Sequence, residues 1–311
     1  AVADASVTLG LNPKYNSGPK TSGIKTIVLK MVADGTAAAQ ALANKEIDIY
    51  QGQPTADAVA QLKAISGVTV IGGTSSCFEH VDVRQGSVND TDYTGPFAAS
   101  NNASKNAKAK DLRTAFLLAY PRQEIVDKLV KPINSKAVVV NSSFTLPGQT
   151  GYNDIVKGSG VSKFTAGTQA TRTAAAKAIL TKYGYSATNK LELKLLFGRP
   201  GNERREAEAK LMIASAAKAY IDLSGSANAK WSSALDAASH DVQFFAWAKT
   251  STAVASPRET YGWNLDTDEA LGGNYTAYKS VAASKALDKL TGKLDAAGVQ
   301  DAYLAAEKEL Y

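Results

Sequence analysis

The segment MVADGTAAAQALANKEIDIY, residues 31–50, decides the fold. It reads as the end of an apolar strand at Val32, an Asp-Gly turn, a helix built mostly of alanine, and a second short apolar strand. Thr36 stands where it can cap the helix, which runs to about Asn44, and the alanines allow it to lie close on a sheet. Helices that carry chemistry carry reactive side chains, and this one has almost none. The unit therefore reads as scaffold.

The same alternation continues on both sides. "SVTLGLNPKYNSG" is a strand ended by Asn12-Pro13, and "IKTIVLKMV" (24–32) is a β-rich run. "EIDIYQG" (46–52) and "GVTVIGG" (67–73) read as short strands flanking a helix capped by Thr55. "SCFEHVDVRQG" alternates like a strand with one wet face, and residues 85–109 read as a long surface loop. Two helical pieces, "AKDLRTAFLLAY" and "RQEIVDKLV", meet at Pro121, a natural first-turn residue. Residues 132–165 read as loop with short strands such as "AVVV". A helix capped by Thr168 ends at Gly184, and "LELKLLF" (191–197) is a half-buried strand. After it come a long amphipathic helix ("NERREAEAKLMIASAAKAY"), a strand in "YIDLSG" and a helix in "KWSSALDAAS". "DVQFFAWA" (241–248) is apolar enough to be covered on both faces. Residues 249–275 form a long polar loop, and helices over about 281–294 and 299–310 close the chain. Strands alternating with helices predict an α/β fold with a mixed or parallel sheet.

Composition narrows the function. The 311 residues are 44% hydrophobic and 21% charged, enough for a sizeable core. A net charge of +6 does not imply nucleic-acid binding. The densest basic run, "KNAKAKDLR" at 105–113, lacks aromatic neighbours to stack on bases, and "ERREAEAK" at 203–210 is balanced by acid. The single cysteine, Cys77, excludes an internal disulfide and is expected to be a buried, inert thiol. No apolar run is long enough to span a bilayer, and "AVADASVTLGLNP" opens on a strand pattern rather than a leader.

Catalytic signals are sparse. The two histidines, His80 and His240, lack a second histidine or cysteine at metal-ligand spacing, and each reads as packed or surface-exposed. There is no G-x-S-x-G elbow. "GSGVSK" (158–163) lacks the context of a phosphate loop. "ADGT" (33–36) sets amides at a helix start, as any α/β turn does. Aromatic residues near the C-terminal third stand out instead: Trp231, Trp247, Tyr261, Trp263 and Tyr275 include all three tryptophans. Trp247 ends a buried strand, and ligands in open α/β sheets sit beyond the carboxyl ends of strands. Core filling is the competing reading for Trp231 and Trp247. Trp263, in "YGWNLD", is expected at a surface or ligand.

With these residues in view, the chain resembles the peptide-type (family 5) extracellular solute-binding proteins of ABC importers. The opening segment is similar to that family's Asp-Pro-Thr turn, alanine-rich helix and Gly-Glu-x-Asp-Ile. "VTLGLNPKYNSGPK" resembles its strand with Asn-Pro-x-Tyr. "LRTAFLLAYPRQEIVDKLV" resembles its Val-Arg-x-Ala helix and Asp-Arg-x-x-Ile-Val element, through Arg113, Ala115, Arg122 and Ile125. "AAAKAILTKYGYS", "HDVQFFAW" and "GGNYTAY" fall in the same order.

The resemblance implies a periplasmic-binding-protein type II-like lobe: a mixed sheet flanked by helices, without the family's N-terminal lobe. Residues 1–20 would be a hinge-proximal strand and linker of the first lobe, and 21–311 the second, ligand-binding lobe, truncated before the family's final strands. It further implies a non-catalytic protein without cofactor or metal, capturing oligopeptides at the cell surface, lipid-anchored or in the periplasm, and passing them to a membrane ABC permease. A monomer is expected, with no nucleic-acid partner. Expected ligand contacts are Trp231, Trp247, Ala248, Lys249, Thr250, Ser251, Tyr261, Trp263, Asn274 and Tyr275. A lobe without its opposing wall is expected to bind weakly or not at all. In typical members an Asp shortly after the strand's Trp holds the peptide amino group; here "WAKTSTAVASP" has no carboxylate, which puts that contact in doubt. An oligosaccharide-binding member, with Trp263 stacked on a sugar, is one alternative. A small-molecule enzyme on an α/β scaffold is another.

Overall fold

The computed structural model describes residues 6–18, 23–53, 55–73, 76–86, 93–248 and 257–311. The chain divides into two compact units, Ala1–Ile71 and Gly72–Tyr311.

In the first unit, β1 (Ser6–Gly10) pairs antiparallel with β2 (Thr26–Lys30), Val7 opposite Leu29 and Leu9 opposite Ile27. The alanine-rich helix α1 (Gly35–Ala43) buries Ala38, Ala39 and Ala41, and it packs on α2 (Ala56–Ala64). Its cap is Asp34, whose Oδ1 accepts from Ala37 N at 2.8 Å, rather than Thr36. An extended Asp one residue outside the helix is the stronger cap. Thr55 caps α2 as expected. The strands expected at 46–52 and 67–73 are irregular, with Ile49 and Ile71 exposed. Local β-propensity had no partner strand to satisfy it.

The second unit is built on a mixed sheet. Its elements run β3 (Cys77–Val83), α3 (Ala103–Ala119), α4 (Arg122–Ile125) continuing into a π-helical turn at Val126–Val130, α5 (Tyr152–Ser159), α6 (Ser162–Thr165) and α7 (Gln169–Thr181). There follow β4 (Leu191–Gly198), α8 (Glu203–Ala217), β5 (Ile221–Ser224), β6 (Ala227–Asn228), α9 (Trp231–Ala234) and β7 (Val242–Ala248). The chain closes with α10 (Pro257–Tyr261), the hairpin β8 (Trp263–Asn264) and β9 (Glu269–Ala270), α11 (Val281–Asp288) and α12 (Ala296–Leu310). Sheet order is β3-β7-β4-β5, with β6 also on β4. β4 runs parallel to β5, β6 and β7, and β3 joins antiparallel to β7. Parallel neighbours need a crossover, which α8 supplies between β4 and β5.

Both faces of β7 are covered, as its unbroken apolar sequence requires. Val242 and Phe244 enter the main core with Leu195, Phe197, Leu112, Phe116 and Met212. Phe245 turns to the opposite face with Leu196 and Leu235. Phe244 stacks on Phe197 at 5.0 Å, and each such buried ring contributes about 2–3 kcal/mol. A third cluster gathers Phe144, Ala283, Leu287 and Ala306 beneath Tyr261 and Tyr303. Three expectations change here. "AVVV" (137–140) is irregular, while α5 and α6 occupy part of the region read as loop. Phe97 is fully buried inside the expected surface loop, and α3 begins there at Ala103. The expected 249–275 loop contains α10 and the β8–β9 hairpin, while residues 249–256 lie outside the described residues.

Candidate functional site

At the carboxyl ends of β4 and β7, one sheet face carries an aromatic wall. Phe245 is its centre: Trp231 lies 5.8 Å away, Trp247 5.1 Å and Tyr275 6.0 Å, ring centre to ring centre. Trp247 and Tyr275 stack nearly parallel at 6.1 Å. Strand pairing adds a second row, since Phe78 faces Trp247 and His80 faces Phe245 across β3–β7. His80 packs edge-on to Phe245 at 4.4 Å and parallel to Trp247 at 6.1 Å. Gly198 makes room for Trp231: a Cβ there would lie 2.3 Å from the indole Cδ1. The turn after it holds Arg199 at φ 71°, a left-handed conformation uncommon for arginine, before Asn202 caps α8.

A polar chain runs along the same face. His80 Nδ1 lies 3.0 Å from Asp82 Oδ1, Gln243 Nε2 donates to Asp82 Oδ2 at 3.3 Å, and His240 Nε2 lies 2.6 Å from Gln243 Oε1. The donors and acceptors fit one assignment. Asp82 accepts twice, His80 donates through Nδ1, and His240 donates through Nε2. Arg84 Nη2, 3.3 Å from His240 Nε2, then makes no hydrogen bond there and donates to Leu235 O instead. Burial pushes the His240 imidazole down to about 4. Two ring nitrogens next to the wall, His80 Nε2 and Trp247 Nε1, are buried without a hydrogen-bond partner among the described residues.

The opposite face of β3 carries charge. Glu79 accepts from Arg205 Nε at 2.8 Å and from Arg204 Nη2. Glu208 receives only long contacts, 3.4 Å from Arg204 and 3.5 Å from the Tyr120 hydroxyl. Burial first, then the Glu79 charge, raise the Glu208 carboxyl far above the usual range. A cavity of about 400 Å³ borders the outer edge of β3, with Val81, Val138, Ile125, Phe164, Arg122 and Tyr311 among its walls. A wider groove of about 780 Å³ lies at the opposite end of β4, lined by Tyr93, Lys194, Asp222 and Asp241.

The expected contacts separate. Trp231, Trp247 and Tyr275 meet on the wall, and Ala248 ends β7 beside them. Tyr261 packs on Phe144 in another cluster, and Trp263 lies in the hairpin, bonded to Asp268 with Lys279 over its ring. Asn274 is buried, its amide fully used by Gly262 O, Tyr278 O, Tyr278 N and Thr276 Oγ1. Lys249, Thr250 and Ser251 lie outside the described residues. Cys77 is exposed rather than buried, because it stands at the first position of an edge strand. Both histidines are packed, yet His80 and Asp82 belong to the wall; the alternation in "CFEHVDV" put them on one face, and only the β7 register showed which. Among the described residues no group of three His, Cys, Asp or Glu could hold a metal ion, and no helix is long and apolar enough to cross a membrane.

Comparison with known proteins agrees with this architecture. The family described as bacterial extracellular solute-binding proteins, family 5 middle, matches residues 1–271. No curated protein matches the chain. Among solved structures, NikA from Staphylococcus aureus, in complex with Ni(L-His)2, is similar with a TM-score of 0.66 and 15% identity, over 98% of this chain and 58% of NikA. The oligopeptide-binding protein AppA from Bacillus subtilis, in complex with a nonapeptide, gives 0.65 and 19%, over 99% and 56%. The ABC transporter substrate-binding protein CtaP from Listeria monocytogenes gives 0.65 and 16%, over 99% and 55%. The chain thus spans a little over half the length of these structures, and the shared fold is that of type II periplasmic-binding proteins.

Proposed function

Because the chain belongs to the family 5 bacterial extracellular solute-binding proteins, we propose that it is the ligand-clasping lobe of an ABC importer's solute receptor and that it captures oligopeptides. Residues 1–20 lie on the hinge side in this reading, and 21–311 form the second lobe. The receptor works outside the cytoplasmic membrane, as a monomer held by a lipid anchor or free in a periplasm, and hands its ligand to a membrane permease. It clasps without catalysis.

The observation that carries this reading is the wall of Trp231, Phe245, Trp247 and Tyr275 at the carboxyl ends of β4 and β7. Wide rings with one polar edge suit a flexible chain whose side chains vary, because they supply contact area at little conformational cost. Hydrogen bonds to the ligand backbone then set orientation, and pocket shape refines selection. Ala248, Lys249, Thr250 and Ser251 complete the proposed contact set; Tyr261, Trp263 and Asn274 leave it, since Tyr261 packs on Phe144, Trp263 is engaged in its own hairpin and the Asn274 amide is fully used. The AppA complex with a nonapeptide is consistent with an oligopeptide as cargo.

The test is titration of the full-length protein with a mixed-peptide library, with a glycan library in parallel. Peptides are expected to change tryptophan emission and raise the melting temperature. A response to glycans alone, or to neither, contradicts peptide capture.

A further inference from the structure

The two unpartnered ring nitrogens beside the wall are of opposite kind. Asp82 accepts the His80 Nδ1–H at 3.0 Å, and in the neutral ring this leaves Nε2 as a lone acceptor. Asp82 is itself fixed by Gln243, so the tautomer is set from behind. Trp247 Nε1 can only donate. The His80 side chain is about 10% exposed, and its ring lies parallel to that of Trp247, 7° apart in plane and 6.1 Å between centres. Buried polar atoms in folded proteins almost always have a partner, so an acceptor and a donor left open on neighbouring rings call for one. Trp247 also lies at the carboxyl end of β7, and His80, on the neighbouring strand β3, is paired with Phe245 of the wall where the proposed ligand is held.

We propose that His80 and Trp247 form an amide clamp, His80 Nε2 accepting a ligand N–H and Trp247 Nε1 donating to a ligand C=O. The inference rests on the ligand-clasping reading above and names the chemical class the site takes. A carboxylate would satisfy only Trp247, and an ammonium only His80. An amide satisfies both and brings no net charge into an aromatic surrounding. The clamp recognises the repeating backbone unit of a peptide rather than its terminus, which suits a chain with no carboxylate in the run after Trp247. Both nitrogens are closed to solvent in the present arrangement, so ligand entry turns a neighbouring ring.

The test uses the full-length protein labelled with ¹⁵N at histidine and tryptophan, with His80→Phe and Trp247→Phe assigning the two signals. N-methylacetamide offers both N–H and C=O; N,N-dimethylacetamide offers only C=O. The first is expected to shift both signals, and the second only that of Trp247. Either substitution is expected to weaken N-methylacetamide binding roughly tenfold, the worth of one hydrogen bond. Unmoved signals with N-methylacetamide, or an equal response of His80 to both amides, overturns the clamp. Tri-alanine separates the clamp from the broader reading. Binding of tri-alanine that leaves His80 unmoved overturns the clamp and retains peptide capture. Shifts of both signals by N-methylacetamide without tri-alanine binding support the clamp and overturn peptide capture.

Discussion

His240 sits 4% exposed between Gln243 and Arg84, and burial holds it neutral down to a pH of about 4 against an ordinary 6.5. Between those values the unfolded chain binds a proton that the folded chain refuses. Stability therefore falls as pH drops through that window, by about 3 kcal/mol for this group. His240→Asn is expected to flatten urea-unfolding stability over the same range. Gly198 is the second position where one atom decides. Gly198→Ala drives its new Cβ into Trp231, with an expected cost of about 1–3 kcal/mol and a shifted tryptophan emission. An unchanged spectrum and melting temperature would show that the indole has another place to go. Neither effect could be read from the sequence, because each depends on which residues the fold sets opposite one another. His80 was visible as a strand histidine, but its alignment by Asp82 came only with the structure.

At the scale of elements, β3 is an antiparallel edge strand whose two faces do different work. One joins the aromatic wall, and the other sets Glu79 against Arg204 and Arg205. Glu79→Ala leaves two poorly exposed guanidinium groups without that acceptor, with an expected loss of about 3–5 kcal/mol in chemical unfolding. Glu79→Gln keeps the shape and removes the charge that helps hold the proton on Glu208. The Glu208 carboxyl is then expected to ionise at lower pH, followed by its infrared C=O band; a band that titrates unchanged would assign the shift to burial alone. Helices are legible in the sequence where a capping side chain and apolar periodicity agree, as with Thr55 and Thr168. β4 and β7 were legible because their apolar runs are long. "EIDIYQG", "GVTVIGG" and "AVVV" failed for a common reason: a strand is made by its neighbour, and local β-propensity carries no information about pairing.

For the whole molecule, the α/β class and a mixed or parallel sheet followed from the alternation of segments, and the family and its mixed sheet from motifs spread along the chain. The site was legible in part. Trp231, Trp247 and Tyr275 converge because β7 and the turns around it meet at the carboxyl ends of the parallel strands. Tyr261 belongs to a different cluster, and the Asn274 side chain is spent on backbone groups and the Thr276 hydroxyl, which their positions in sequence do not reveal. In the proposed function, peptides are clasped at the carboxyl ends of β4 and β7. Oxidative footprinting of the full-length protein, with and without saturating peptide library, tests this most directly. Protection concentrated on Trp231, Trp247 and Tyr275 is the predicted result; protection confined to other aromatic residues, with these three oxidised equally in both samples, would contradict it.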